Sequence, residues 1–202
     1  MAPMAGSVVS IDDAALVESA RAGDMNAFSR LVTKYQDRVL NTCWRMTGRF
    51  EDAQDLTQET FLHALEAIGT FRRQSGFYTW LFRIAVNLSI SHCRRRSRTA
   101  RLALHMGDGE CNADAGAAMG HSGAQDEPSA RMSARETQQL VLRGLEQLEE
   151  DQRALIVLRD IESFDYRQIA DILELPVGTV KSRLHRARME LRDRLKPLIS
   201  GI

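Results

Sequence analysis

The sequence comprises 202 residues with a formal net charge of zero, and 44% of its residues are hydrophobic and 27% charged. This balance is typical of a globular protein, and no apolar run approaches the roughly 18 residues of a membrane span. The start of the chain, MAPMAGSVVS, lacks the basic and apolar regions of a secretory signal. The three cysteines lack CxxC spacing, which indicates reduced thiols in a cytoplasmic protein.

Apolar residues recur at helical spacing along the chain, and this pattern predicts an all-α fold. The first group of predicted helices covers approximately residues 12–22, 25–47, 51–68 and 77–95. The second group covers approximately residues 134–148, 150–160, 166–173 and 178–195. Ser75 and Asp165 stand where N-caps would precede the fourth and seventh helices.

A segment rich in glycine and acids separates the two groups of helices. It contains five glycines and five acids but no Lys or Arg between Leu102 and Ala130, and from His105 onward it lacks large apolar side chains other than Met. Such a segment buries too little surface to offset the entropy of ordering it. The sequence therefore predicts two small helical domains, residues 1–103 and 131–202, joined by a flexible acidic linker over residues 104–130.

The sharpest pattern of the second domain is YRQIADILELPVGTVKSRLHRARMELRDRL, which starts at Tyr166. A first amphipathic helix is broken before Pro176, and a second one opens at Gly178 with an inward stripe from Val180 to Leu191. Polar and basic side chains lie on its outer and flanking faces: Thr179, Lys181, Ser182, Arg183, His185 and Arg186. This order is typical of a helix-turn-helix whose second helix reads base edges in a major groove.

The first domain contains FRRQSGFYTWLFRIAVN, in which five of the twelve aromatic residues lie among arginines. From Phe71 to Arg101 there are eight arginines and no acid. Cationic surfaces with aromatic residues are typical of proteins that hold single-stranded nucleic acid. Phe77, Trp80 and Phe82 are nevertheless expected mainly in the core, whereas a mid-helix Asn87 indicates a base contact.

Together these segments resemble the extracytoplasmic-function (ECF) group of sigma-70-type factors, and the sigma-E-like members closely. The pair FYTWLFRIAVN and PVGTVKSRLHRAR carries the resemblance most specifically. AFSRLVTKYQDRVLNTCWRM is similar to region 2.1, DAQDLTQETFLHAL to region 2.2, and residues 148–195 to region 4. The resemblance implies a non-enzymatic sigma factor without a cofactor or metal, which acts in stress responses with core RNA polymerase, promoter DNA and an anti-sigma factor.

The resemblance also implies roles by position. The expected polymerase-docking residues lie on the third helix: Asp52, Asp55, Leu56, Gln58 and Glu59. The expected −10 set lies at or after the loop from Phe71 to Gly76: Phe71, Arg72, Arg73, Ser75, Thr79, Arg83 and Asn87. The expected −35 set is the outer face of the recognition helix, Thr179 to Arg186. His185 and Lys181 depart from residues that are frequent in the group, so the −35 preference is expected to differ from the commonest one.

Two other classes of protein remain as alternatives. A free-standing LuxR-type regulator shares the helix-turn-helix but needs an N-terminal sensing or phosphoacceptor domain, which the first half does not predict. A metal-dependent enzyme would use His92, Cys93, His105, Cys111 and His121, whose spacings match no common zinc site. No glycine-rich phosphate loop or catalytic carboxylate pair is present in the sequence.

The linker length gives a further expectation about the two domains. Promoter elements about 25 base pairs apart are separated by on the order of 85 Å of duplex. A flexible chain of 27 residues has an r.m.s. span of about 30 Å. We therefore expect the free protein to be compact and to bind promoter DNA poorly until polymerase extends the linker, and we expect an anti-sigma factor to clamp the compact form.

Overall fold

The structure, a computed structural model, describes residues 11–71, 76–106 and 128–199, with side chains described for residues 13–71, 76–102 and 137–197. Within these ranges all regular structure is helical. The N-terminal helices are α1 (Ile11–Arg21), α2 (Met25–Thr47), α3 (Phe50–Ala67) and α4 (Phe77–Met106), with a 3-10 turn at Ile68–Thr70. The C-terminal helices are α5 (Pro128–Glu146), α6 (Glu150–Ile156), α7 (Tyr166–Leu173) and α8 (Val177–Ile199), with a π turn at Val157–Ile161.

Local signals fix several helix ends. The Asp24 side chain accepts hydrogen bonds from the backbone N–H groups of Asn26 and Ala27, at 2.9 and 3.3 Å, and so caps α2. At the other end of α2, Gly48 adopts a left-handed conformation (φ 73°), which costs glycine little. The predicted N-cap at Asp165 is confirmed, because Asp165 and Gln168 form a reciprocal capping box on α7. The predicted N-cap at Ser75 lies outside the described residues.

The predicted helices are confirmed, but three of them are longer than expected. Helix α8 ends at Ile199 rather than near residue 195. Helix α4 continues to Met106 rather than ending near residue 95, and α5 begins at Pro128 rather than near residue 134. The arginine-rich end of α4 lacks an apolar stripe, so periodicity gave no reason to extend the helix. It also lacks Gly and Pro, so nothing in the sequence stops the helix before Gly107. Helices α4 and α5 thus enter the expected linker, whose remaining residues 107–127 lie outside the described part.

The N-terminal helices form a bundle in which α2 packs against α1, α3 and α4. Apolar side chains at helical spacing supply its core, and several are fully buried: Leu31, Val39, Met46, Leu81 and Phe82. In the C-terminal part, α8 packs against α5, α6 and α7 around a second set of fully buried side chains: Leu155, Leu158, Ile169, Ile172 and Leu184. Each predicted domain therefore has a core of its own, as stable folding of small domains requires.

The two helical domains also pack against each other. Helix α4 contacts α6 and α7, and α2 contacts α5 and α6. The buried apolar residues of both domains join into one continuous cluster. The contact between the domains makes the described molecule a closed arrangement, in agreement with the compact state expected from the linker length. No helix in the described ranges is long and apolar enough to cross a bilayer.

Candidate nucleic-acid interfaces

The outer face of α8 carries the polar and basic side chains that the sequence assigned to −35 recognition. Val180, Leu184 and Ala187 point into the domain and are at most 2% exposed. Thr179 is half-buried, and five side chains are exposed: Lys181, Ser182, Arg183, His185 and Arg186. The buried and exposed faces of this helix therefore agree with those predicted from the periodicity of its apolar residues. The exposed face offers the ammonium, hydroxyl, imidazole and guanidinium groups that reading base edges requires.

Arg188, further along α8, has a structural partner. Its guanidinium binds the Asp160 carboxylate of the π turn, with 3.0 Å between Nε and Oδ2. The hydrogen bonds that Arg188 donates to Asp160 raise the pKa of Arg188, which stays fully charged. The position of Arg188 in the C-terminal half of α8 favours a phosphate contact or a structural role, and its ion pair with Asp160 supports the structural role. Arg192 contacts only its neighbour Asp193, at 3.4 Å, among the described residues, so it remains the better candidate for a phosphate contact.

The members of the expected −10 set lie in different environments. Arg72, Arg73 and Ser75 lie outside the described residues. Phe71 is 6% exposed and packs on Phe77 and Trp80, with ring centroids 6.1 and 5.1 Å apart. Phe71 is therefore a core residue that anchors the start of the loop, and its ring does not face a base in this arrangement.

The helical members of the −10 set differ in exposure. Asn87 is exposed and Arg83 is half-buried. Thr79 is 4% exposed because the C-terminal domain covers it, and its hydroxyl lies 3.5 Å from Nε2 of Gln168 on α7. The expectation that Phe77, Trp80 and Phe82 belong to the core is confirmed, since each is at most 9% exposed.

Asn87 and Arg183, one from each expected DNA-reading set, line the same cleft between the domains. The cleft has a volume of about 280 Å³ and an apolar floor: Ile90, Leu155, Leu173 and Leu175. Asn87 and Arg183 therefore border one cleft in the closed arrangement, and both side chains remain exposed.

The expected docking helix, α3, offers an acidic and amide-bearing surface. Asp55, Gln58 and Glu59 are exposed. Asp52 is more covered, and its Oδ2 lies 3.3 Å from Nη1 of Arg96 and 3.2 Å from Nε2 of His92. These two contacts connect the start of α3 to α4. Asp52 also borders the expected docking surface.

Leu56 does not offer the exposed apolar contact that was expected. It is 3% exposed and belongs to the core of the N-terminal bundle, because its position on α3 faces inward. The apolar side chain on the outer face is Leu62, which is 61% exposed. Sequence reasoning missed Leu62, although its spacing of three and four residues from Glu59 and Gln58 places it on their face.

Glu162 is a second residue that the sequence did not single out. It lies after the π turn, is 7% exposed, and accepts hydrogen bonds from the N-terminal domain. The donors are Nη2 of Arg38 at 3.2 Å, Oγ1 of Thr42 at 3.1 Å and the Tyr78 hydroxyl at 3.2 Å. Burial and the Glu162 carboxylate raise the pKa of Tyr78, so its hydroxyl remains a donor. A buried carboxylate with several donors is energetically acceptable only while those partners stay in place.

Arg153 forms a further contact between the domains, and it too was missed. It is 7% exposed, and it binds backbone carbonyl oxygens rather than a carboxylate. The acceptors are the carbonyls of Leu145, Glu146 and Leu148 at 2.8, 2.9 and 3.0 Å, and that of Met46 at the end of α2. Burial lowers the pKa of Arg153, but a guanidinium remains charged in this environment. Arg153 thus caps α5 and joins it to the N-terminal bundle.

The cysteines of the described region are buried and unpaired. Burial raises the pKa of Cys43 to about 11 and also raises that of Cys93. Within the described side chains no group of three potential metal ligands converges. Of the residues weighed for a metal site, the side chains of His105, Cys111 and His121 lie outside the described part.

Comparison with known proteins gives matches over both domains. The family Sigma-70 region 2 matches residues 31–99, and the family Sigma-70, region 4 matches residues 138–191. The chain is 38% identical over 190 residues to the RNA polymerase sigma-H factor of Pseudomonas aeruginosa, which covers 93% of this chain and 95% of that protein. It is 36% identical over 189 residues to the ECF RNA polymerase sigma-E factor of Haemophilus influenzae, covering 94% and 98%.

Two solved structures are similar over most of the chain. CnrH in complex with the cytosolic domain of CnrY has a TM-score of 0.63 at 26% identity, covering 92% of this chain and 98% of CnrH. The sigma factor RpoE in complex with the anti-sigma factor NepR, from Bartonella quintana, has a TM-score of 0.65 at 27% identity, covering 84% and 96%. A partner protein is bound in both solved structures, the cytosolic domain of CnrY in the first and the anti-sigma factor NepR in the second.

Proposed function

This chain belongs to the sigma-70 family, as a sigma factor of the ECF group related to sigma-E, and from that premise we propose how its residues divide the work of transcription initiation. An RNA polymerase sigma factor binds core RNA polymerase and directs initiation at promoters. The N-terminal domain, residues 1–103, docks on core polymerase and handles the −10 element, and the C-terminal domain, residues 131–202, reads the −35 element. Residues 104–130 link them. The chain acts in the cytoplasm and performs no catalysis itself.

The outer face of α8 is the observation that supports −35 reading by the C-terminal domain. Its exposed side chains stand opposite a fully buried stripe, so the helix presents one continuous polar and basic face to DNA. Lys181 and Arg186 are placed to contact base edges, while Arg192, nearer the C-terminal end, is placed for a phosphate. The Lys181 ammonium also lies 5.6 Å from the centre of the Tyr166 ring, which holds it at the turn between α7 and α8.

Docking on core polymerase is assigned to the outer face of α3. Asp55, Gln58 and Glu59 offer polar contacts, Leu62 offers the apolar one, and Asp52 borders the surface. Leu56 supports the helix from within. For the −10 element, Asn87 is assigned to one base, with Arg83 and Thr79 beside it on α4 and with Arg72, Arg73 and Ser75 in the preceding loop, which Phe71 anchors.

The closed arrangement requires a conformational step before promoter binding. The promoter elements are on the order of 85 Å apart, and the domains are in direct contact in the closed form. Core polymerase therefore has to separate the domains, which also uncovers Thr79. A partner that binds both domains would hold the closed form, and the similarity to two sigma-type chains in complexes supports an anti-sigma factor in this role.

The decisive experiment is run-off transcription with core polymerase on a library of promoters randomised in the −35 element. Lys181→Ala and Arg186→Ala should each relax the preference at particular positions, by about 1–3 kcal/mol of discrimination per lost base contact. The matched variant Arg192→Ala should lower transcription from all sequences alike and reduce the slope of binding against salt by about 0.9. Equal sequence-specific effects in the three variants would contradict this division of roles.

The same assay separates a sigma factor from a free-standing regulator. A sigma factor gives specific transcripts only when core polymerase is added and directs that polymerase to promoters it does not otherwise use. A LuxR-type regulator would bind its site on duplex DNA without polymerase. Specific promoter binding at nanomolar affinity by the free chain would overturn the assignment.

A further inference from the structure

The turn between α6 and α7 presents a carboxylate and an aromatic ring to one side chain of the other domain. The Tyr78 hydroxyl donates to Oε2 of Glu162 at 3.2 Å. The Phe164 ring stacks on the Tyr78 ring, with centroids 4.8 Å apart and an interplanar angle of 14°. An anion joined by a short backbone to a flat ring resembles one nucleotide, with its phosphate and its base. We propose that this turn is an internal mimic of a nucleotide, and that the surface beneath it binds one nucleotide of the unpaired promoter strand.

The anion half of the site lies on α2. Arg38 and Thr42 hydrogen-bond the Glu162 carboxylate, and Nη1 of Arg45 lies 3.9 Å from its Oε1. In the described part of the chain, Glu162 is the carboxylate that pairs with either arginine. When the domains separate, both guanidinium groups lose this counterion while keeping their positions on the helix. A phosphate replaces the carboxylate well, because guanidinium groups bind both anions with charge-assisted hydrogen bonds.

The base half of the site lies on α4. Phe164 is 1% exposed and contacts Phe82 as well as Tyr78, with the Phe82 centroid 5.2 Å away. Tyr78 and Phe82 lie 4.4 Å apart, and Cζ of Arg38 lies 4.6 Å from the centre of the Tyr78 ring. Removal of Phe164 therefore leaves an aromatic platform beside a guanidinium group. Proteins that bind single strands combine such platforms with cations along the backbone path.

The combination of both halves favours an unpaired nucleotide over an acidic protein segment. An acidic segment would satisfy the arginines but leave the aromatic platform exposed to water. A base within a duplex is stacked on both faces, so it cannot reach Tyr78. The inference rests on the proposed function, because the opened promoter supplies the single strand. It adds Arg38, Thr42 and Tyr78 to the strand-binding surface.

The test uses the full-length chain without polymerase and a fluorescein-labelled single strand of twelve thymidines, followed by fluorescence anisotropy. The double variant Glu162→Gln, Phe164→Ala removes both halves of the mimic and should bind the strand about tenfold more tightly than the original chain. Adding Arg38→Ala to this variant should abolish the gain and reduce the slope of log affinity against log salt by about 0.7. Arg30→Ala, an exposed arginine on the same helix, is the matched control and should preserve both the gain and the slope.

Three outcomes would overturn the proposal. The first is no gain in strand binding by the double variant when circular dichroism shows a native helix content. The second is a gain that Arg38→Ala leaves unchanged, which would mean that the turn only holds the domains together. The third is a loss of core-polymerase affinity in Arg38→Ala without a loss of strand binding, which would assign the site to a protein segment. If Phe164→Ala unfolds the domain, Phe164→Leu with Glu162→Gln retains the apolar volume and still removes the stacked ring.

Run-off transcription by the original chain distinguishes this proposal from the function on which it rests. If the original chain directs polymerase to promoters and the anisotropy results fail, only the nucleotide site is wrong. If the original chain gives no polymerase-dependent transcription, the assignment as a sigma factor fails, whatever the strand affinities are.

Discussion

Replacement of Arg153 should destabilise the protein more than replacement of any exposed arginine. Its guanidinium donates to the carbonyls of Leu145 and Glu146 at the end of α5, to that of Leu148 just beyond the helix, and to the Met46 carbonyl of the other domain. Arg153→Met keeps much of the side-chain volume and removes all four bonds. A buried acceptor left without a donor costs about 1–3 kcal/mol. The carbonyls of Leu145 and Met46 keep a second donor, the Leu148 amide at 3.0 Å and the Cys93 thiol at 3.4 Å, and water can reach some of the others. We therefore expect a loss of about 3–5 kcal/mol rather than the full sum.

Urea unfolding followed by circular dichroism at 222 nm measures this loss. Arg153→Lys, which retains the charge but not the fork of donors, should lose about 2–3 kcal/mol, since an ammonium reaches fewer of the carbonyls. Arg94→Met is the matched control. Arg94 forms an exposed pair with Asp151, with Nη2 2.8 and 2.9 Å from the two carboxylate oxygens, and such pairs contribute at most about 1 kcal/mol.

Hydrogen exchange locates the effect of Arg153→Met within the chain. Amides at the end of α5 and the end of α2 should both lose protection, because one guanidinium holds both helix ends. Loss of protection at α5 alone would show that the contact with Met46 contributes nothing. A free energy of unfolding within 1 kcal/mol of the original protein would refute the reasoning as a whole.

Three further predictions concern the interfaces and the core. Asn87→Ala should cost about 1–3 kcal/mol of discrimination at one −10 position in the run-off assay, and a uniform loss over all promoters would show a structural role instead. Asp55→Arg should weaken binding to core polymerase about tenfold or more while circular dichroism stays unchanged; an unaltered affinity in a competition assay would remove α3 as the docking surface. In a Cys111→Ser background, Cys43 and Cys93 should react with a disulfide reagent at pH 8 only after unfolding. With a pKa of about 11, only on the order of one Cys43 thiol in a thousand is ionised at that pH, so rapid reaction of the folded protein would contradict its burial.

The helices and the polar face of α8, which we propose to meet DNA, were predictable from the order of residues. Helical periodicity depends on side chains three and four positions apart, and both the buried stripe and the polar face of α8 follow from it. The capping box at Asp165 also depends only on neighbours along the chain. Helix ends without a local stop signal were predicted less well, as the extension of α4 to Met106 demonstrates.

Which side of a helix is covered by a neighbouring helix was predicted less well than the separation of its polar and apolar sides. Leu56 belongs to an amphipathic helix, but the sequence did not indicate whether the side that bears it or the side that bears Leu62 packs inward. Phe71 and Thr79 are candidates for the −10 interface by position, but both are buried. Phe71 packs on the aromatic rings at the start of the next helix, and Thr79 is covered by Gln168 of the other domain. Burial of this kind depends on packing between helices, which the local pattern does not encode.

The sequence by itself determined the helical fold, the two domains, the helix-turn-helix and its polar face, since each depends on residues close together in the chain. Only the tertiary structure decided how the domains close on each other. Glu162 meets Arg38 and Thr42 across more than 100 positions of sequence, and Arg153 reaches Met46 across a similar separation. Neither residue carries a local signal, because the desolvation that makes a buried charge require partners arises only when the two domains exclude water between them.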